Sequence, residues 1–210
     1  LYPTAKATLD YVPDLPDRQP WQIEKGENWV QMTYQYLLPT HPFTMCALSF
    51  RVFPDGAVEA TLSSDAPKVL GSPPEFGVCF KMDAAFNHVS FLGLGPEETY
   101  CDRKQGAKLG VYENLVLDNV PAYLMPQECG NHTDVRWAAV TDGTGIGLLF
   151  QSASMEFSAL PHTPHELENA AHPQELPTPY QTVVRVAAKQ MGLGAEDSWG
   201  ARPDPKDLLP

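Results

Sequence analysis

Carboxylate side chains are the first candidates for chemistry in this sequence. Acidic neighbours occur at Glu97-Glu98 and at Glu196-Asp197, and Glu128 stands alone among polar residues. Cleavage of a glycosidic bond needs two carboxyl groups that flank the substrate, one as acid and one as nucleophile or base. Adjacent residues cannot face one substrate from both sides, so each pair supplies at most one such group. The pattern favours solvated loop carboxylates, and we predict no catalytic residue in this chain.

Histidines are the second group, because they bind transition metals. Three of the six histidines, His162, His165 and His172, surround a short predicted helix. His165 and His172 are seven residues apart, about two helical turns, whereas zinc-binding histidines on one helix stand about four residues apart. That spacing is too wide to hold one ion without a further ligand. We therefore predict no metal site and no cofactor in this chain.

Sequence motifs for nucleophilic or nucleotide chemistry are absent. The chain has no G-x-S-x-G, no P-loop and no G-x-G-x-x-G. Gly93-Leu94-Gly95-Pro96 resembles a phosphate-binding loop, but Pro96 lacks the N–H group that such a loop would offer. The formal net charge is −12, and no basic stripe is present, so nucleic acid is excluded as an expected partner.

Two stretches, 92–112 and 126–137, combine charged, amide and aromatic side chains with glycine-bearing turns. Such turns hold buried hydrogen-bond networks or line a cleft. The second stretch supplies four candidates for a cleft or an interface: Glu128, Asn131, His132 and Arg136.

These residues also have structural interpretations. Asn131 and His132 are well suited to stabilise a turn. Arg136, like Arg103, lies near an acidic residue in the sequence and is expected to form a structural ion pair or to hold the chain against a partner. Trp137 lies in a strand-like run and is expected in the core.

Strands must position these residues, because apolar residues alternate with a period of two. The alternation predicts strands at 30–38, 48–52, 58–63, 76–82, 89–92, 135–141, 146–152, 155–160 and 182–188. Pro54-Asp55-Gly56 and Asp142-Gly143-Thr144-Gly145 predict hairpin turns. The strands at 76–82 and 89–92 are expected to pair. Many short strands separated by turns predict an all-β fold, a large antiparallel two-sheet sandwich.

One short helix is predicted between strands. Thr163 is the expected N-cap, Pro164 the first helical residue and Glu166 the partner in a capping box, with the helix running to Ala171. We interpret residues 1–42 as an N-terminal lead-in with the first strand and 43–210 as the main part of a single domain.

The cysteines and the hydropathy pattern bear on location. Cys46 and Cys79 lie in strand-like runs, so they are expected as small buried apolar residues rather than as halves of disulfides. No apolar segment is long enough to span a bilayer, and the start of the sequence lacks the charged and apolar regions of a signal peptide. We expect a cytoplasmic protein without a membrane partner.

Four ordered motifs carry a family resemblance: LGLGPEETYCDRKQGAKLGVY, PQECGNHTDVRW, FSALPHTPHELENAAHP and KQMGLGAEDSWG. Together they resemble the C-terminal domain of bacterial glycoside hydrolase family 2 β-galactosidases, the small-chain domain or domain 5. The resemblance covers about residues 43–210. It implies a supersandwich similar in fold to galactose mutarotase.

The resemblance also implies partners and a site. In the family, the catalytic glutamates and the magnesium and sodium ligands belong to a TIM-barrel domain and its neighbours, either fused or on a large subunit. The small-chain domain packs on that barrel, and its D-S-W-G loop forms a wall of the pocket for galactosides such as lactose. The matching residues are Trp199, the substrate-binding residue, with Asp197 and Ser198 shaping its loop.

Two alternatives remain open. One is a mutarotase-like enzyme, which needs a general acid and a general base across one sugar ring. Glu128 and His132 are the pair available for it. The other is a free-standing sugar-binding module.

Overall fold

A computed structural model of the protein describes residues 21–38, 43–65, 71–194 and 200–209. Antiparallel strand pairing builds the two sheets formed by these residues. The chain divides into two units, whose described residues lie within 21–73 and 74–209. The first unit holds a four-stranded sheet and the second a six-stranded sheet. The prediction of an all-β fold with two antiparallel sheets and one short helix is confirmed.

The sheet of the first unit is a simple meander. Its strands pair in chain order: β1 (Trp21–Lys25), β2 (Val30–Leu38), β3 (Thr44–Val52) and β4 (Val58–Ser64). The predicted hairpin between β3 and β4 is confirmed. The Phe53 N–H donates to the carbonyl of Ala57 at 2.9 Å, and Gly56 between them has a φ of 87°.

In the sheet of the second unit, some neighbouring strands are consecutive in the sequence and others are far apart in it. Its strands are β5 (Glu75–Asp83), β6 (His88–Gly95), β7 (Lys108–Leu115), β8 (His132–Thr141), β9 (Gly147–Leu160) and β10 (Gln181–Gln190). They lie in the order β5-β10-β9-β8-β6-β7. Their connections include 3₁₀ turns at Val116–Asn119 and Pro173–Glu175, and a further 3₁₀ turn, Pro205–Asp207, follows β10.

The predicted pairing of the strands at 76–82 and 89–92 is wrong. Strand β5 pairs with β10, and β6 pairs with β7 and β8, so three strands separate β5 from β6. A tight turn follows β5, in which the Phe86 N–H donates to the Asp83 carbonyl at 3.0 Å. Alternation within a strand reports its two faces but not its neighbours, which explains the error.

Three strands differ from the predicted set, and the first of them, β1, was not predicted. Strand β9 is one strand of 14 residues, not two. Its register with β8 shifts between the pairs Trp137–Gln151 and Val135–Met155, so the polar Ser152–Ser154 segment forms an irregularity within the strand and does not end it. Its first half is exposed and its last six residues are buried. Strand β7 lies in the stretch interpreted as turns, where its glycine and charged residues hide the alternation of Leu109, Val111 and Leu115.

The main core covers one face of the six-stranded sheet. Its fully buried residues include Phe91, Val140, Phe157 and Val184. Trp137 is half-buried and outside this core, contrary to prediction, because Phe91 pairs with Ala138 and the adjacent Trp137 faces the other side of the sheet.

The short helix is confirmed. Helix α1 (Pro164–Asn169) begins with the predicted capping box: the Thr163 N–H donates to Glu166 Oε2 at 2.7 Å, and the Glu166 N–H donates to Thr163 Oγ1 at 3.2 Å. The helix ends two residues before the predicted end at Ala171.

All four cysteines are free thiols, which agrees with the expectation for Cys46 and Cys79, but Cys46 is only half-buried. Cys79 is exposed, contrary to prediction, because β5 is the edge strand of its sheet. No described helix is long and apolar enough to cross a membrane.

Candidate functional site

The three residues predicted to bind or shape the sugar site follow β10 in the sequence. Trp199, Asp197 and Ser198 fall outside the described residues, and their role stays a prediction. The structure describes the segments that flank the loop, residues 191–194 and 200–209. Residues 195–199 are named here the Trp199 loop, and the two flanking segments are its base.

Hydrogen bonds tie the flanking segments together and to the turn after β6. The Gly192 N–H donates to the Asp207 carbonyl at 2.8 Å, which joins the segment before the loop to the segment after it. The Gly194 N–H donates to Oδ2 of Asp102, also at 2.8 Å. The Cys101 thiol lies 3.5 Å from the Asp207 carbonyl oxygen. The base of the loop is therefore fixed from both sides.

Close approach explains the two glycines at the start of this loop. A Cβ atom on Gly192 would lie 2.4 Å from Oδ2 of Asp102, and one on Gly194 would lie 2.5 Å from the Ala201 carbonyl oxygen. Gly194 also has a φ of 64°, which favours glycine. The packing of the loop base therefore favours glycine at both positions, 192 and 194.

A cleft of about 540 Å³ lies next to this base. It is lined by the turn from Gly95 to Ala107, whose charged members include Glu97, Asp102 and Arg103. Asp102 contributes to the cleft and also binds the backbone of Gly194. The first polar stretch therefore forms a cleft wall, as its composition indicates.

Glu98 fastens this turn to the second polar stretch. Its Oε2 accepts a hydrogen bond from the Gly130 N–H at 2.7 Å, and its Oε1 accepts one from the Tyr123 hydroxyl. Arg103 donates to the Tyr123 hydroxyl at 2.9 Å and lies 3.4 Å from Glu98. Burial and the bond to Glu98 raise the pKa of Tyr123 to about 12, so the phenol stays protonated and neutral.

Glu128 is part of a buried ion cluster centred on Arg185 of β10. Nη1 of Arg185 lies 2.7 Å from Glu128 Oε2, and Nη2 lies 3.1 Å from Glu75 Oε2. Arg185 also donates through Nη2 to Oε1 of Gln190 at 3.0 Å, and the Tyr100 hydroxyl donates to Oε1 of Glu128 at 3.3 Å. Burial acts to lower the pKa of Arg185, but the two carboxylates outweigh it and raise the pKa, so the guanidinium stays charged.

Asn131 links the turn after β6 to strand β9. Its side-chain amide donates to the Thr99 carbonyl at 3.1 Å and to Glu156 Oε2 at 2.7 Å. The backbone carbonyl of Asn131 accepts a hydrogen bond from the Thr99 N–H at 2.7 Å. Burial raises the pKa of Glu156. Asn131 is buried, and these bonds use both donor hydrogens of its side-chain amide, so it has the structural role that the sequence allowed for it.

His132 is buried against the core. Its Nδ1 lies 3.2 Å from the Leu94 carbonyl oxygen, and its ring centre lies 4.2 Å from that of Phe91. A carbonyl can only accept, so Nδ1 carries the proton of the neutral ring. Burial lowers the pKa of His132 to about 4.

The sheet separates Glu128 from His132. His132 pairs with Phe157, and Phe157 pairs with Val186 of β10, so these three residues share one face. Arg185 is adjacent to Val186 and points to the opposite face, where it binds Glu128. A general acid and a general base on opposite faces of one sheet cannot act on one sugar ring.

The two arginines singled out in the sequence differ in environment. Arg103 forms the expected ion pair, but with Glu98 instead of the adjacent Asp102. Arg136 is exposed and forms no ion pair among the described residues, because Asp134 pairs with Lys104 at 3.2 Å. Arg136 thus remains free to contact a partner.

Two residues that hold the candidate site together, Arg185 and Asp102, were not singled out in the sequence. Arg185 carries a signal that could have found it: a charged residue within TVVRVAA must be buried and therefore needs a carboxylate partner. Asp102 carries no such signal, because its partner Gly194 lies 92 residues away. Among the described residues, no group of three or more His, Cys, Asp or Glu side chains is arranged to hold a metal ion.

Comparisons with known proteins agree with the family resemblance. The profile of the β-galactosidase small-chain family matches residues 7–210. A β-galactosidase of Priestia megaterium is 42% identical over 165 residues, which are 78% of this chain and 16% of that protein. The β-galactosidase small subunit of Latilactobacillus sakei is 33% identical over 202 residues, covering 90% of this chain and 63% of that subunit.

The relatives come in two lengths. A Streptococcus thermophilus β-galactosidase is 38% identical over 86% of this chain, which again corresponds to only 18% of the relative. The chain thus spans less than a fifth of the long β-galactosidases it matches and about two thirds of the small subunit. Because the family profile matches nearly the whole chain, this chain belongs to the β-galactosidase small-chain family.

Proposed function

We propose that this chain is the non-catalytic small-chain domain of a family 2 β-galactosidase. It would complete the galactoside site of a TIM-barrel catalytic domain. That catalytic domain would be either fused to this chain or present on a separate large subunit. The match along residues 7–210 carries the proposal. The whole enzyme would hydrolyse terminal β-D-galactose residues with retention, as in lactose breakdown in the bacterial cytoplasm. Magnesium and sodium would belong to its catalytic part.

The state of the carboxylates supports a non-catalytic role. Glu98 and Glu128, two of the acidic candidates, are each engaged by a cation and by hydrogen bonds. A glycosidase acid and its partner must instead face an open substrate site from two sides. Hydrolysis would therefore depend on carboxylates of the catalytic domain.

Trp199 would act as a platform for the sugar. The apolar C–H face of a pyranose on an indole ring shields on the order of 50 Å² of apolar surface, worth about 1–1.5 kcal/mol at roughly 25 cal/mol per Å². That corresponds to about tenfold in affinity. The fixed base of the loop, through Gly192 and Gly194, supports this role because it limits the entropy lost on binding.

The test uses the catalytic domain of the same β-galactosidase with this chain present, and nitrophenyl galactoside as substrate. Trp199→Ala should raise KM about tenfold, and the purified chain alone should show no hydrolysis. Trp21→Ala, at an exposed tryptophan of β1, is the matched control and should leave KM unchanged. Hydrolysis by the chain alone, or an unchanged KM for Trp199→Ala, would refute the proposal.

A further inference from the structure

A short turn of the second unit presents two large apolar side chains to solvent. It runs from Pro121 to Pro126 and is named here the Leu124 turn. Leu124 is 92% exposed and Met125 61% exposed, and Leu124 is the most exposed large apolar side chain among the described residues. A single exposed apolar residue is common, but two adjacent ones at the tip of a turn mark a candidate contact surface.

The turn is held rigidly from below by Tyr123. The Tyr123 N–H donates to the Pro121 carbonyl at 2.8 Å, and its ring packs against the buried cluster of Cys129, Leu160 and Leu167. Its hydroxyl is bound by Glu98 and Arg103, as described above. The prolines at both ends further restrict the backbone. The turn is therefore ordered by contacts that leave its tip uncovered.

The chain is fixed again immediately after the turn. Glu128 binds Arg185, and the Gly130 N–H donates to Glu98, so the C-terminal end of the turn is anchored to the second unit. A rigid apolar projection loses little conformational entropy on binding, which is the property of a residue that dominates an interface. Arg103, whose side chain is 55% exposed, supplies a polar group beside the turn.

We infer that the Leu124 turn docks into an apolar pocket of the β-galactosidase catalytic chain. This inference rests on the proposed function and adds the surface through which the two parts associate. The partner follows from the lengths of the relatives. In the long β-galactosidases more than four fifths of the polypeptide lies outside the matched segment, and the L. sakei relative is named as a subunit.

The experiment measures association of the two parts as separate polypeptides. The catalytic chain of the same β-galactosidase, expressed without this segment, is titrated with the purified chain by calorimetry. The double variant Leu124→Ser/Met125→Ser should bind at least about 30-fold more weakly, the loss typical of interface anchors. Its thermal unfolding should match that of the parent chain, because both side chains are exposed before binding.

Two further variants make the result specific. Val58→Ser, at a 55% exposed valine of the first unit, is the matched control and should bind as the parent does. Tyr123→Phe keeps the apolar tip and removes the hydroxyl bound by Glu98 and Arg103, so it should bind a few times more weakly than the parent and more tightly than the double variant.

The outcomes separate this inference from the proposed function. If the parent chain binds the catalytic chain and the double variant binds equally well, the docking role of the turn is refuted and the proposed function stands. If the parent chain does not bind the catalytic chain, both are refuted. If the double variant instead abolishes self-association of the parent chain and leaves binding to the catalytic chain intact, the turn is an interface between copies, and the inference is overturned.

Discussion

The carboxylate of Asp102 accepts a hydrogen bond from the backbone N–H of Gly194, 92 residues later in the chain, with 2.8 Å between Oδ2 and N. Its other oxygen, Oδ1, is buried and has no hydrogen-bond partner among the described residues. The same carboxylate occupies the space that a Cβ atom on Gly192 would need. One side chain of the cleft thus fixes the start of the loop that carries Trp199.

Asp102→Ala should loosen the base of this loop, because a hydrogen bond to a charged group contributes about 1.5–3 kcal/mol. We expect faster hydrogen exchange at the Gly194 amide and a higher KM for nitrophenyl galactoside in the complete enzyme. Asp102→Asn retains an acceptor oxygen and should keep both values close to those of the parent. Exchange at Gly194 and KM are therefore measured on the same pair of variants.

The two measurements distinguish a positioning role from a general effect on stability. A rise in KM with kcat unchanged would mean that the loop binds substrate less well. Faster exchange at Gly194 with an unchanged KM would show that Asp102 stabilises the fold only and does not position the loop.

Arg185 makes the buried cluster on β10 a strong determinant of stability. Its side chain is 5% exposed, whereas those of Glu128 and Glu75 are 29% exposed. Arg185→Met removes the cation that pairs with Glu128 and Glu75 and leaves two carboxylates close together, so the free energy of unfolding should fall by about 3 kcal/mol. Urea denaturation of the purified chain measures this change.

Glu75→Gln is the control for this cluster. It removes one carboxylate but keeps the contact of Arg185 with Glu128, so it should cost about 1 kcal/mol. Equal stability of Arg185→Met and the parent chain would disprove the assigned role of the cluster.

Local patterns predicted the parts of the fold that local interactions determine. Alternation found β2, and turn residues found the hairpins at Pro54-Asp55-Gly56 and Asp142-Gly143-Thr144-Gly145. The capping box at Thr163 placed the start of α1. The pairing of β5 with β10 was out of reach because it joins segments about 100 residues apart, and no pattern within β5 reports its neighbour.

The candidate site was likewise predictable only where local sequence determines it. The composition of the second polar stretch indicated buried hydrogen-bond networks. Glu128 and Asn131 each belong to such a network, Glu128 with Arg185 and Asn131 with Glu156. The sequence did not show that Glu128 and His132 lie on opposite faces of the sheet, because the face that each occupies depends on strand register. The sugar-binding role of Trp199 comes from the family motif and stays a prediction.

His132 should make the folded state sensitive to mild acid. Burial lowers its pKa from the usual 6.5 to about 4 in the folded chain, while the unfolded chain keeps the usual value. Between pH 6.5 and 4 the unfolded chain therefore binds the additional proton, so the free energy of unfolding falls as the pH falls. The difference in pKa corresponds to a loss of about 3 kcal/mol over this interval.

His132→Gln isolates this contribution. Its amide can donate to the Leu94 carbonyl in place of Nδ1–H, but it does not titrate. Urea denaturation at several pH values should show a shallower loss of stability in the variant between pH 6.5 and 4. Glu156, whose raised pKa acts in the opposite direction, is present in both proteins, so it cancels in the comparison. Parallel pH profiles for the two proteins would mean that His132 accepts a proton as readily in the folded chain as in the unfolded one.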